Sequence, residues 1–189
     1  MRKALVMTGA AIVALGLAAP AADAAVTERA AAAKSVPPGK YAKSLCSTFT
    51  GWQRSLSPAN IPTAGITDAS AGKQALSGYF AQLVASTQSA EARLKKAGIP
   101  DVDNGRKLAR SFQSFLSQVS TELAGAKAKI DTADPASPDF LTTITDVTTN
   151  LSSIDSRFGD PFSKVDSQDL LSAFKDQKAC KGLVTIVGG

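Results

Sequence analysis

An all-α fold, an up-and-down four-helix bundle with a short fifth C-terminal helix tied by one disulfide, is what this 189-residue chain predicts. Three features lead there. Apolar residues return every three or four positions through four long stretches, segments bearing proline and glycine separate those stretches, and the two cysteines, Cys46 and Cys180, bracket nearly all of them.

The opening MRKALVMTGAAIVALGLAAPAADA combines Arg2 and Lys3, an apolar run over 4–19 and the small triplet Ala22-Asp23-Ala24. This layout predicts a signal peptide over 1–24, cleaved before Ala25. The apolar run, roughly 16 residues, is shorter than the roughly 20 that span a bilayer, so no transmembrane segment is expected after cleavage. Residues 25–38, AVTERAAAAKSVPP, end in Pro37 and Pro38 and read as an Ala/Pro-rich tether. The helical bundle domain is then expected over 39–181, with an apolar tail, GLVTIVGG, over 182–189.

The first helix, over 40–56, places Tyr41, Leu45, Phe49, Trp52 and Leu56 on one face, with Trp52 as a core anchor. SPANIPTAG, 57–65, is a loop, and Thr67 and Asp68 open the second helix. Its seam is Leu76, Phe80, Leu83, Thr87, Ala90 and Leu94. Gly98 ends it, in the position of a Schellman cap with Ile99 falling back on Leu94, and Pro100 blocks continuation. Asp101 is the expected N-cap of a third helix over 102–130, about 43 Å long at 1.5 Å per residue. Leu108, Phe112, Phe115, Val119, Leu123, Ala126 and Ile130 face its core side.

DTADPAS turns the next corner, and Ser137 with Pro138 begins a fourth helix bearing Phe140, Ile144, Val147, Leu151, Ile154 and Phe158. The β-branched run TTITDVTT favours strand by propensity, but its apolar residues come three or four apart, and periodicity is the stronger signal. Gly159, Asp160 and Pro161 close it. A fifth helix over 167–179 brings Leu170, Leu171 and Phe174 inward and ends at Cys180.

In an exported chain two cysteines read as one disulfide, here between residues 134 positions apart. Closing so long a loop contributes up to about 5 kcal/mol on the chain-entropy estimate, large against a usual net stability of about 5–15 kcal/mol.

Functional chemistry is bounded mostly by what the chain lacks. It has no histidine, and both methionines, Met1 and Met7, fall in the expected signal peptide. Haem, type-1 copper and histidine-ligated zinc have no ligands, a histidine base is excluded, and neither metal nor cofactor is expected. An EF-hand starting at Asp101 fails because Gly105 arrives one place early and Phe112 stands where a carboxylate must bind. S-x-x-K pairs at Ser70–Lys73 and Ser172–Lys175 lack the companion motifs of serine acyl-enzymes and read as coincidence. Scattered carboxylates suit caps and corners better than a glycosidase pair. The chain is therefore not expected to be an enzyme.

The net charge of +5 falls to about +4 when Arg2, Lys3 and Asp23 leave together, too diffuse for nucleic acid. Arg93, Lys95 and Lys96 close the second helix while Arg106, Lys107 and Arg110 open the third, so six cations converge at one hairpin tip. The first three merely complement a helix dipole; the second three oppose it and are the more informative, although Asp103 stands three and four residues before Arg106 and Lys107 and is expected to offset them. This tip is the candidate anion-binding patch, and a solvated face is its plainer reading.

The segments LCSTFTGWQ, AGIPDVDNGRKLA and LLSAFKDQKACKGL resemble small exported α-helical proteins common in actinobacteria, many of them lipoproteins, a group with no established activity. The resemblance covers most of the expected mature chain. It implies a helical, extracytoplasmic protein, although no cysteine follows the apolar run here to accept a lipid. The functional expectation is a non-enzymatic binding or structural component of the cell envelope, its partner an anionic envelope polymer or another envelope protein. The alternative is an extracytoplasmic carrier or sensor of a small apolar ligand held between the helices.

Overall fold

A computed structural model describes residues 34–57, 60, 67–181 and 183. The expected signal segment, the tether up to residue 33, most of the 57–65 loop and nearly all of the tail lie outside the described residues. Five α-helices dominate: α1 (Pro38–Ser55), α2 (Ala69–Ala97), α3 (Gly105–Thr132), α4 (Phe140–Ser156) and α5 (Gln168–Asp176), followed by a 3-10 turn at Lys178–Cys180. Two short strands, β1 (Ser35–Val36) and β2 (Ile99–Pro100), pair in parallel.

Each boundary has a local cause. Pro38 occupies the first turn of α1, where its missing N–H costs nothing. Asp68 caps α2 by accepting from the Ala71 amide at 2.9 Å, and that donor holds its carboxyl below the usual carboxylate range. Ser167 caps α5 through the Leu170 amide. Ser137 accepts from the Asp139 amide at 3.2 Å, but residues 138 and 139 form a turn and α4 starts at Phe140, two residues later than Pro138 predicts. The fifth helix is also shorter than expected, giving way at Gln177 to the 3-10 turn.

α2 packs along α3, α1 packs on α2 and on α5 with its 3-10 turn, and α4 packs on α3. The stripes expected on the first three helices are buried, including Leu45, Phe49, Leu83, Leu94, Phe112, Val119 and Leu123, except that Leu76 and Leu56, the latter just beyond α1, are half-buried. On α4 the buried positions are Phe140, Val147 and Ile154; of the rest of the expected seam Ile144 and Leu151 are half-buried, and Phe158 is buried but lies beyond the helix, in the turn that follows. At the centre the Phe49 ring lies 5.3–6.4 Å from the rings of Trp52, Phe112, Phe115, Phe158 and Phe162, mostly edge to face. Trp52 is the anchor expected of it. Its Nε1 donates to the buried Thr87 hydroxyl at 2.8 Å, which in turn donates to the Leu83 carbonyl oxygen at 2.8 Å. A polar residue in the seam of α2 is thus fully satisfied.

Cys46 and Cys180 form the disulfide, with Cα atoms 5.0 Å apart and both side chains buried. It joins α1 to the 3-10 turn, and the Thr50 hydroxyl reinforces the junction by donating to the Ala179 carbonyl oxygen at 3.0 Å. Replacing both cysteines with alanine is expected to lower the unfolding free energy by about 3–5 kcal/mol, read from urea denaturation. Intact mass of the native protein, before and after alkylation, will show no reactive thiol.

Both tyrosines, Tyr41 and Tyr79, are buried, and desolvation raises each phenol above its usual range, Tyr41 the further. A raised folded-state value means that the neutral form is favoured in the native protein, so the contribution of the two tyrosines to stability is constant below about pH 10 and falls as pH rises beyond it. Phenolate absorbance will accordingly appear at about pH 10 in urea, but in buffer only at higher pH and together with unfolding.

Candidate functional site

The corner between α2 and α3, Gly98 to Gly105, is built differently from its sequence reading. Gly98 does take a positive φ of 87°, yet its ψ of −159° sends the chain into β2 and not into a Schellman cap. The Ile99 amide donates to the Lys34 carbonyl oxygen at 3.0 Å, and the Asp101 amide to that of Val36 at 2.8 Å. The end of the expected tether is therefore part of the fold, strapped across the corner as β1. Asn104 holds the N-cap position of α3, left-handed at φ 59° and with no side-chain capping bond, its side-chain amide donating instead to the Asp166 carboxylate at 3.5 Å, and Asp101 lies outside the helix. Asn tolerates that conformation better than most residues.

This three-residue delay in α3 changes the electrostatics. Asp103 precedes α3 and forms no ion pair with Arg106 or Lys107. Among the described residues the ion pairs are Lys95–Glu91, Lys127–Asp131 and Arg157–Glu122. Arg93, Lys95 and Lys96 are exposed on the last turns of α2, with Lys95 neutralised by Glu91. Arg106, Lys107 and Arg110 are exposed at the start of α3 and are left without acidic partners.

Lys107 and Arg110 stand on a ridge between two grooves. On one side Arg106 joins them along a shallow recess of about 500 Å³ over Ser35, Ile99 and Pro100. On the other lies a larger groove of about 810 Å³ between α3 and the turn at 157–166. One wall is the face of α3 carrying Lys107, Arg110, Ser111, Ser114 and Gln118, spaced as one side of a helix requires. The opposite wall brings Arg157, Asp160, Ser163, Lys164 and Asp166, and Leu108, Phe115 and Pro161 form the floor. Arg93, Lys95 and Lys96 line neither groove.

The second wall was not legible in the sequence. Residues 157–166 read as a helix end and a linker, but Phe162 and Val165 are buried, and the Phe162 ring packs on Phe112 at 4.9 Å and on Phe174 at 6.3 Å. That anchor fixes the turn and so presents Ser163 and Lys164 to the groove. Arg157 is clamped by Glu122 through two guanidinium hydrogen bonds, which hold its proton more firmly than usual. Lys107, Arg110 and Lys164 form no ion pair.

Beside the groove, Asp101, Asp103, Asp166 and Asp169 surround an open recess of about 750 Å³. Among the described residues no group of three or more carboxylates or thiols is placed to hold a metal ion. Of the S-x-x-K pairs, Lys73 donates to the Ala133 carbonyl oxygen at 2.8 Å, and neither Ser70 nor Ser172 has a hydrogen bond to its lysine. No helix among the described residues is long and apolar enough to cross a membrane. The chain matches no family model, no curated protein and no solved structure.

Both corner glycines stand where a Cβ would meet backbone: the Lys34 carbonyl oxygen at 2.5 Å for Gly98, and the Pro100 carbonyl oxygen for Gly105. Gly98→Ala and Gly105→Ala are each expected to destabilise by about 1–3 kcal/mol. Gly78→Ala, with nothing near its Cβ on α2, is expected to stabilise by about 0.5–1 kcal/mol, all three read from thermal or urea unfolding.

Proposed function

We propose that this chain is an extracytoplasmic, non-catalytic helical-bundle protein that binds an anionic polymer of the cell envelope in the groove between α3 and the 157–166 turn. The observation that carries the reading is the set of cations there that form no ion pair, Lys107 and Arg110 on one wall and Lys164 on the other, which with Arg157 outnumber the groove's two carboxylates, Asp160 and Asp166. A groove with low-dielectric walls focuses such charge and raises the local concentration of an anion. Arg106 extends the positive track across the ridge, whereas Arg93, Lys95 and Lys96 contribute only to the wider field.

The supporting framework is an up-and-down order of the four long helices, consistent with each packing on its chain neighbour. A buried disulfide suits an oxidising compartment and agrees with an export signal over 1–24. The ring-filled centre around Phe49 supports a surface site over a ligand held between the helices.

Binding to wall fragments carrying their anionic polymers is expected to weaken with salt, since exposed charges are screened within about 8 Å at physiological ionic strength. The triple variant Lys107→Glu, Arg110→Glu, Lys164→Glu, at exposed positions, is expected to lose about tenfold or more in affinity with its helical spectrum intact. Equal retention of the variant, or equal binding to fragments stripped of anionic polymer, would overturn the reading.

A further inference from the structure

The groove is not lined by cations alone. Ser111, Ser114 and Gln118 share the helical face of Lys107 and Arg110, and none of their side-chain polar atoms is hydrogen-bonded within the protein. Elsewhere on these helices hydroxyls turn back on the preceding turn, as Thr121 does on the Ser117 carbonyl oxygen at 3.1 Å and Thr145 on that of Leu141 at 2.9 Å. Ser111 and Ser114 do not, whereas Ser163 on the opposite wall donates to the Asp160 carbonyl oxygen at 2.8 Å. Two carboxylates, Asp160 and Asp166, also reach the groove. Ionised carboxylates only accept hydrogen bonds, while serine hydroxyls and the glutamine amide both donate and accept.

We infer that the ligand is an acidic glycan, a chain bearing carboxylate or phosphate groups together with free sugar hydroxyls. This rests on the anion-binding reading above and deepens it. Bare polyphosphate offers acceptors only, so it has no donor for Asp160 and Asp166, and the acceptor capacity of the serines and glutamine would go unused. Sugar hydroxyls donate, and so satisfy those same groups while the acidic substituents meet Lys107, Arg110 and Lys164. Single-stranded nucleic acid would require exposed aromatic rings for stacking, but Phe115 is 7% exposed and Trp52 3%. A membrane surface would require apolar side chains at the rim; among the described residues the one large exposed hydrophobic is Leu141, which lies on α4 and outside the groove. A volume of about 810 Å³ also lies toward the upper end of the roughly 300–1,000 Å³ of small-molecule sites, room for a run of sugar units and far more than one phosphate needs.

Calorimetric titration of the full chain at fixed salt with three probes tests the inference: oligogalacturonate, linear polyphosphate of matching charge, and uncharged malto-oligosaccharide. Oligogalacturonate is expected to bind at least about tenfold more tightly than polyphosphate, with the malto-oligosaccharide weakest. The double variant Ser114→Ala, Gln118→Ala, at exposed helical positions where alanine is well tolerated, is expected to reduce oligogalacturonate affinity by a clearly larger factor than polyphosphate affinity, because only the sugar uses both the donors and the acceptors of these groups. Polyphosphate binding as tightly as oligogalacturonate, or a double variant that treats both alike, would overturn the glycan inference and leave the anionic groove standing. Binding of neither acidic probe would overturn both.

Discussion

The packing of the Phe162 ring against Phe49, Phe112, Phe158 and Phe174 is the contact on which both the interior and the groove depend. Its neighbours come from α1, α3, α5 and the 157–166 turn itself, so one side chain from an irregular turn closes the space that three helices leave. Burying a ring of that size contributes roughly 1.5–3 kcal/mol of transfer free energy, and edge-to-face neighbours add to it. The consequence reaches the surface. Ser163 and Lys164 follow Phe162 directly, and their place opposite Lys107 and Arg110 is set by the depth to which the ring is driven.

The disulfide acts at a second point and by a different means. It limits the unfolded chain more than it tightens the folded one, because its loop spans most of the domain. In the folded state it holds the 3-10 turn on α1, alongside α5, and α5 supplies the Phe174 ring that backs Phe162. Covalent closure and aromatic packing thus support the same turn. The β1 strap performs a comparable service at the α2–α3 corner, where the amides of Ile99 and Asp101 are satisfied by the segment preceding α1.

Charge follows from backbone here. Had α3 begun at Val102 with Asp101 as its cap, Asp103 would have faced Arg106 and Lys107 one turn away and neutralised them. The left-handed Asn104 postpones the helix, releases Asp103 toward the acidic recess and leaves the cations of the first turns unpaired. Their cost against the helix dipole is a few tenths of a kcal/mol each at exposed positions, small enough for the fold to tolerate.

Sequence alone determined the helical class, the inward stripes of the long helices, Trp52 as an anchor, the pairing of Cys46 with Cys180, and Lys107 with Arg110 as part of a cationic feature. These follow from period, composition and cysteine count, which are local or global properties of the chain and need no coordinates. Only the tertiary structure decided that residues 35 and 36 belong to the fold, that Asn104 holds the N-cap position of α3, and that Lys164 completes the groove. Two of those depend on a contact between distant segments, Lys34 with Ile99 and Phe162 with Phe49, and the other on a close approach within the corner, the Gly105 position against the Pro100 carbonyl. A two-residue strand and a turn without period carry no repeating pattern, so their roles arise only when the helices that flank them are already in place.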